Sequence, residues 1–327
     1  MNILFIGGTG IISTPISKKL IAEGHNVYLL NRGNRNSVVP GAIPVICDIN
    51  GDDFSAIPDI MFDCVADFIA FTPEQTVRDF RLFAGKCRQY IFISSASAYQ
   101  KPLNTYLITE STPLCNPYWK YSRDKIACEN YLNERYREDG FPITIIRPSH
   151  TYDERSVPLG VHGDKGSFAV VKRIMEDKQV IIHGDGTSLW TMTHNTDFAE
   201  AFCAAVGNPK AIGETYHITS DETLTWNEIY QAVAAALGKE LKPFYVSSSY
   251  LARNSVYDLE GNLIGDKANS VVFDNSKIKR LAPDFCAKVR FKDGIKMTID
   301  NVLANAELQV PDPEFDKWCD EIIAKFS

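Results

Sequence analysis

The sequence predicts an α/β fold: a doubly wound parallel sheet with a smaller C-terminal α/β lobe. Three observations carry this. Short, nearly all-apolar segments alternate with amphipathic helical segments through the first half, the pattern of a parallel sheet covered on both faces. A glycine-rich turn directly follows the first apolar segment. The chain of 327 residues exceeds the roughly 250–300 that one hydrophobic core usually serves, which calls for a second lobe.

The strands are expected at NILFIG, NVYLLN, AIPVIC, MFDCVADF, QYIFISS and PITIIR. Helical patterns lie between them: TPISKKLIAEG, whose closing glycine suits a C-cap, a second helix near 74–85, and a long one near 118–138. In the second half SFAVVKRIMED, TDFAEAFCAAVG and WNEIYQAVAAALG carry helical periodicity, with the short strands VIIHG and TYHI among them.

The composition is that of a soluble globular chain, 45% hydrophobic and 23% charged. A net charge of -7 argues against nucleic-acid binding, which favours a basic face, but leaves room for a locally positive pocket. The eight cysteines form no C-x-x-C and no zinc-spaced cluster, so no metal site is expected. Several sit in apolar runs and read as reduced core thiols. MNILFIGGTG lacks the n-region of a signal peptide, and no apolar run approaches the ~18 residues of a membrane helix. The expectation is a cytoplasmic protein with no membrane partner.

The first strand runs into GGTGIIS. Gly7 and Gly10 let the backbone approach a pyrophosphate, and the helix behind the turn offers free N–H groups and a positive dipole end. Ser13 stands where a third glycine is common, implying slightly looser helix–sheet packing. In this context the turn reads as a Rossmann dinucleotide cradle made by Gly7, Thr9, Gly10, Ile11 and Ile12, against the alternative of an ordinary tight turn. The second strand ends with Asn31 and Arg32, followed by Arg35, where a carboxylate would grip the ribose of NAD. An arginine there suits the 2′-phosphate of NADP. The reading leans to NADP over NAD, with a solvated loop arginine as the other possibility. Asp48 and Ile49 follow the third strand, where an aspartate can accept from the adenine amino group.

The fifth strand ends ISSASAY, and Tyr121 and Lys125 follow on the long helix. Of fourteen tyrosines, Tyr121 alone has a lysine four residues on. At that spacing both side chains share one helix face, Cβ atoms about 5–6 Å apart. A nearby ammonium stabilises a phenolate, so the Tyr121 pKa is expected to fall. Ser95, at the strand end, could bond the reacting oxygen.

Together GGTGIIS, CDI, FISSASAY, YSRDK, TIIRPSHTYD and HNTDFAEAF resemble the extended short-chain dehydrogenase/reductases, specifically the NAD-dependent epimerase/dehydratase family. The resemblance spans nearly the whole chain, with a looser match at VVFDNSKIKRLAPDF. It implies a dinucleotide-binding domain of residues 1–149 plus about 196–219, and a substrate lobe of about 150–195 plus 220–327. It implies hydride transfer at a carbinol carbon of a sugar or nucleotide-sugar. Tyr121 would be the acid/base, Lys125 would hold the nicotinamide ribose, and Ser95, with Ser97 as second candidate, would orient the substrate oxygen. Pro148 would line the nicotinamide pocket. A homodimer is implied too, through the helices near 74–85 and 118–138, although Val77, Phe80 and Phe83 fit core packing equally.

Departures from the family bear on substrate. Its 4,6-dehydratases carry Asp-Glu after the strand-end hydroxyl, where this chain has Ala96 and Ser97, which disfavours dehydration. His150 replaces a usual asparagine, either as a substrate contact or as a structural histidine. Trp190 stands near a usual diphosphate-gripping arginine. It could stack on a sugar but cannot neutralise a diphosphate. Lys165, Arg253 and Lys267 are candidate replacements. Asp67, at the fourth strand's end, reads either as a capping carboxylate or as a cofactor-site residue. The rival readings are an NADPH-dependent reductase of a non-nucleotide carbonyl compound and a non-catalytic NAD(P)-binding protein.

Overall fold

The computed structural model describes residues 1–33 and 39–326; Arg35 lies outside the described residues. The main sheet has seven parallel strands: β1 (Asn2–Ile6), β2 (Asn26–Asn31), β3 (Ile43–Ile46), β4 (Cys64–Asp67), β5 (Tyr90–Ile93), β6 (Ile143–Pro148) and β7 (Thr215–Ile218). Their order is β7-β6-β5-β4-β1-β2-β3. The winding reverses at β1, with β2 on one side and β4 on the other. Such a switch point opens a crevice at the strands' carboxyl ends, where ligands bind.

Side-chain alternation makes two cores. From β1, Ile3 and Phe5 join the core on one face, and Leu4 and Ile6 the core on the other. The first face is covered by α1 (Ser13–Ala22) and by Phe198 and Phe202 of the helix Asn195–Ala205. The second is covered by α2 (Pro73–Phe83) and α3 (Lys120–Asp139), through Phe83, Cys128 and Leu132. Because both faces are covered, β4 and β5 are buried at every position. This is why they read as continuous apolar runs. α2 starts at a capping box of Thr72 and Gln75 with Pro73 in its first turn. α3 stops at Gly140, whose φ of 67° is left-handed.

A third core builds the second lobe around Trp190, Trp226, Tyr230, Phe291, Ile299 and Phe315. It draws on α4 (Phe168–Met175), the parallel pair Val180–His183 and Pro243–Val246, and α6 (Trp226–Ala236), with the helix Asn195–Ala205 as α5. The helices Phe291–Ala304 and Pro313–Phe326 and a π-helix at Glu260–Lys267 complete it. Sequence reading assigned none of these three, although Ile295, Ile299 and Val302 have helical spacing and are buried.

Phe80 packs edge-on to Tyr131 at 6.3 Å and Phe141 at 5.2 Å, with Arg135 over its ring. Phe83 is in the core. These apolar positions on α2 therefore serve packing within the chain. Of the cysteines, Cys47, Cys64, Cys87, Cys128 and Cys319 are buried, while Cys115 and Cys286 are exposed; all are free thiols. Among the described residues no helix is long and apolar enough to cross a membrane, and no group of three His, Cys, Asp or Glu is placed to hold a metal.

Candidate active site

The glycine turn begins where β1 ends. Gly7 has φ of 84°, and a Cβ there would lie 2.4 Å from Ile69 Cγ2, so only glycine lets the strand end under the following loop. Ser13 does not loosen the turn as expected. It is 1% exposed, its Oγ accepts from the Gly10 amide at 2.9 Å, and it donates to the Gly7 carbonyl at 3.2 Å. The hydroxyl takes the place of a close helix–strand contact by stitching the turn together. Asn195, heading α5, donates to the Ile11 carbonyl at 3.1 Å. The amides of Ile11 and Ile12 have no protein partner among the described residues.

From this turn a groove of about 620 Å³ runs past Asn31, Arg32, Asp48 and Ile49 to Phe71. Asn31 Oδ1 accepts from the Gly33 amide and Asp48 Oδ1 from the Asn50 amide, so each side chain shapes its own loop. Arg32 is exposed and has no carboxylate partner among the described residues. Open amides at a helix start, a glycine that admits backbone contact and a free guanidinium at the far end match what a dinucleotide requires.

Asp67 corrects an expectation. It is fully buried and lines no part of the groove. Its Oδ1 accepts from the amides of Ile69 and Ala70 at 2.6 and 2.9 Å, so it caps the loop after β4. Behind it lies Asp79, which accepts from Tyr90 at 2.6 Å and from Arg78. Burial, then the adjacent Asp79 carboxylate, hold the Asp67 pKa well above its usual value.

Beyond Ile12, which borders both spaces, the groove adjoins a second cavity of about 340 Å³. Ser95, Ser97, Tyr121, Pro148, His150 and Trp190 all line it. The Ser95 hydroxyl is near enough to the Tyr121 phenol to lower its pKa. Ser122 donates to Ser97 Oγ at 2.7 Å, and Ser97 Oγ lies 2.9 Å from Ser95 Oγ. The Ser97 hydroxyl accepts from Ser122 and can give its own proton to Ser95, which frees the Ser95 proton for the phenol or a substrate oxygen.

The expected fall in the Tyr121 pKa is not what the geometry produces. Burial raises it, and the Ser95 hydroxyl only partly offsets that. Lys125 does not lower it here. Its Nζ is held by the carbonyls of Ala70 and Ile93, both at 2.7 Å, and stands 5.8 Å from the Tyr121 ring centre. Burial lowers Lys125 itself to about 8. Two of the three ammonium protons are thus committed, and one is free to meet a ligand.

His150 is half-buried and neutral, its pKa pulled down to about 3 by loss of water contact and then by Lys267. Trp190 Nε1 donates to His150 Nδ1 at 3.3 Å, which leaves the His150 proton on Nε2. Trp190 is 3% exposed and tilted against Trp226 at 5.5 Å, so it braces His150 and has no open face for a sugar. Sequence reasoning missed Lys101 and Asp266, which line the same cavity as Lys267. Lys165 lines a different cavity, and Arg253 bonds its own helix.

The fold is a Rossmann-like α/β one, with a groove at the sheet's switch point and a second cavity beside it. Residues 75–219 match the NAD dependent epimerase/dehydratase family, as the motifs led us to expect. The chain is 24% identical over 289 residues to 2'-dehydrokanamycin reductase of Streptomyces kanamyceticus, covering 87% of this chain and 80% of that one. It is 26% identical over 257 residues to a putative UDP-glucose 4-epimerase of Methanocaldococcus jannaschii, covering 72% and 82%. Its fold resembles that of dTDP-glucose 4,6-dehydratase from Bacillus anthracis in complex with NAD, with TM-score 0.73 and 21% identity over 94% and 98% of the two chains.

Proposed function

We propose that this protein is an NAD(P)-dependent oxidoreductase or epimerase acting at a carbinol carbon of a sugar or nucleotide-sugar, with Tyr121 as its acid/base. One observation carries the reading. Tyr121 and Ser95 together line a cavity that opens beside the glycine-turn groove, with Ile12 between them. The relatives named as a sugar-nucleotide epimerase and an aminoglycoside reductase support the substrate class.

The glycine turn and the amides of Ile11 and Ile12 would hold the pyrophosphate, and Arg32 a 2′-phosphate, which favours NADP. A bound nicotinamide would give or take the hydride. The free N–H of Lys125 would hold the adjoining ribose. Tyr121, kept protonated by burial, would donate its proton to a ketone oxygen as the carbinol forms, and take it back in the reverse direction. Ser95 would donate to the same oxygen. His150, neutral throughout the physiological range, would offer its Nε2 proton as a fixed donor.

Turnover with NADPH and NADH over a panel of sugars and nucleotide-sugars, with cofactor affinity measured alongside, tests this. Tyr121→Phe should lower turnover by about 10²–10⁴-fold, the usual worth of a positioned proton donor, with cofactor affinity nearly unchanged. Full activity in Tyr121→Phe would overturn the assignment. NADPH should bind more tightly than NADH, and Arg32→Ala should erase the difference. Tight NADPH binding without turnover on any member would favour a non-catalytic binding protein. Cofactor released stoichiometrically on denaturation would favour the epimerase.

A further inference from the structure

The cavity holds more charge than proton transfer at Tyr121 needs. Lys101 follows the β5 turn, and Asp266 and Lys267 end the π-helix Glu260–Lys267. All three line the cavity with Tyr121 and Ser95. The Lys101 side chain is 1% exposed and the Asp266 side chain 16%, yet their charged atoms stand 4.0 Å apart, beyond hydrogen-bond reach. Neither charged end makes a hydrogen bond among the described residues. Lys267 Nζ donates to Asn262 Oδ1, a neutral partner.

Two buried ammonium groups therefore face one carboxylate. His150 and His162 add no compensating charge, since burial keeps both imidazoles neutral. Burial also pulls Lys101 and Lys267 down and pushes Asp266 up. Charges buried without full pairing cost several kcal/mol unless a further counter-charge arrives.

The triad is rigidly placed. The Lys267 carbonyl accepts from Trp226 Nε1 at 3.0 Å and from Ser188 Oγ at 3.2 Å. Asn116 Nδ2 bridges the carbonyls of Ser97 and Gly265 at 2.8 and 2.7 Å, tying the π-helix to the turn that carries Ser95. Asp266 is near enough to Tyr121 to raise the phenol's pKa. The charges thus sit beside the reacting carbon rather than a nucleotide's length away.

We propose that Lys101, Asp266 and Lys267 form an anion subsite within the sugar pocket, so that the substrate is a hexose bearing a carboxylate or phosphate on or next to its ring. This rests on the proposed function, because it takes Tyr121 to mark the reacting carbon. The anion completes the pairing: Lys101 and Lys267 receive it, and Asp266 holds the two ammonium groups in place while the pocket is empty.

Calorimetric titration of the full chain saturated with NADPH tests it, using glucose, glucosamine, glucuronate and glucose 1-phosphate. In their ring forms these are dead-end ligands, because a reduced cofactor gives no hydride to an alcohol. At least one anionic sugar should bind about tenfold or more tighter than glucose, a difference of about 1.4 kcal/mol. Glucuronate and glucose 1-phosphate distinguish a ring carboxylate from an anomeric phosphate. Lys101→Met and Lys267→Met should each remove the preference, while Lys101→Arg should keep most of it. Asp266→Asn, which removes the internal competitor, should strengthen anion binding.

Equal binding of glucose and both anions, no sugar binding at all, tightest binding of glucosamine, or an undiminished preference in both methionine variants would overturn the proposal. NADPH affinity, read first by cofactor fluorescence, reports both whether each variant is folded and whether the groove reading holds. Failure to bind NADPH would sink the functional reading, whereas normal NADPH binding without anion preference would sink the subsite alone.

Discussion

Asp67 and Asp79 illustrate what a residue's letter leaves open. Both are fully buried, and one guanidinium, Arg78, serves them. Burial and the adjacent Asp79 carboxylate both favour the protonated form of Asp67. An amide keeps the capping bonds, its oxygen accepting from Ile69 and Ala70, and gives up only the long 3.4 Å contact from Arg78. Asp67→Asn should therefore shift unfolding free energy by less than about 1 kcal/mol, against about 3–5 kcal/mol for breaking a charged buried pair. Urea titration measures this. A loss near the larger figure would mean that Asp67 is ionised. The sequence raised Asp67 as either a cap or a cofactor ligand, and only the third dimension could separate the two, because Asp79 and Tyr90 are brought to it by different elements. Tyr121 is a similar case. Its spacing from Lys125 was legible, but the two backbone carbonyls that hold the ammonium were not.

At the scale of elements, the strands and the first three helices were readable because their signals are local: apolar runs, Thr72-Pro73 at a start, Gly140 at a stop. The π-helix was not. Its glycines make sense only against a distant partner, since a Cβ on Gly261 would lie 2.2 Å from Trp119 Cδ1 and one on Gly265 3.2 Å from Trp119 Cβ. Trp119 immediately precedes α3 and donates to Asp258 at 3.1 Å. The π-helix is thus docked on the start of the helix that carries Tyr121, and Asn116 fastens it to Ser97. Asn116 is 2% exposed. Asn116→Ala should cost about 2–4 kcal/mol, from two lost bonds and two buried carbonyls left unpaired. Asn116→Asp, nearly isosteric but without donors, should cost at least as much. Thermal denaturation checks both, and a wild-type melting temperature in Asn116→Asp would dismiss the bridge.

For the whole molecule, the sheet's reversal at β1 fixes where a dinucleotide can lie, and the second lobe closes the cavity that adjoins it. The first of these was legible from GGTGIIS at the end of an apolar strand. The second was legible only through resemblance, because Lys101 is far in the chain from Asp266 and Lys267 and the three carry no motif. The positions that depart from family pattern, Ser13, His150 and Trp190, each acquire a hydrogen bond that the sequence could not foretell.

A crystal structure of the full chain with NADPH would test the central claim most directly. The nicotinamide should lie between the glycine turn and Tyr121, with its ribose on Lys125 Nζ, its pyrophosphate on the amides of Ile11 and Ile12, and its reactive carbon facing the space between Ser95 and the phenol. A nicotinamide turned away from that cavity, or a Tyr121 phenol with no path to its reactive face, would contradict the assignment.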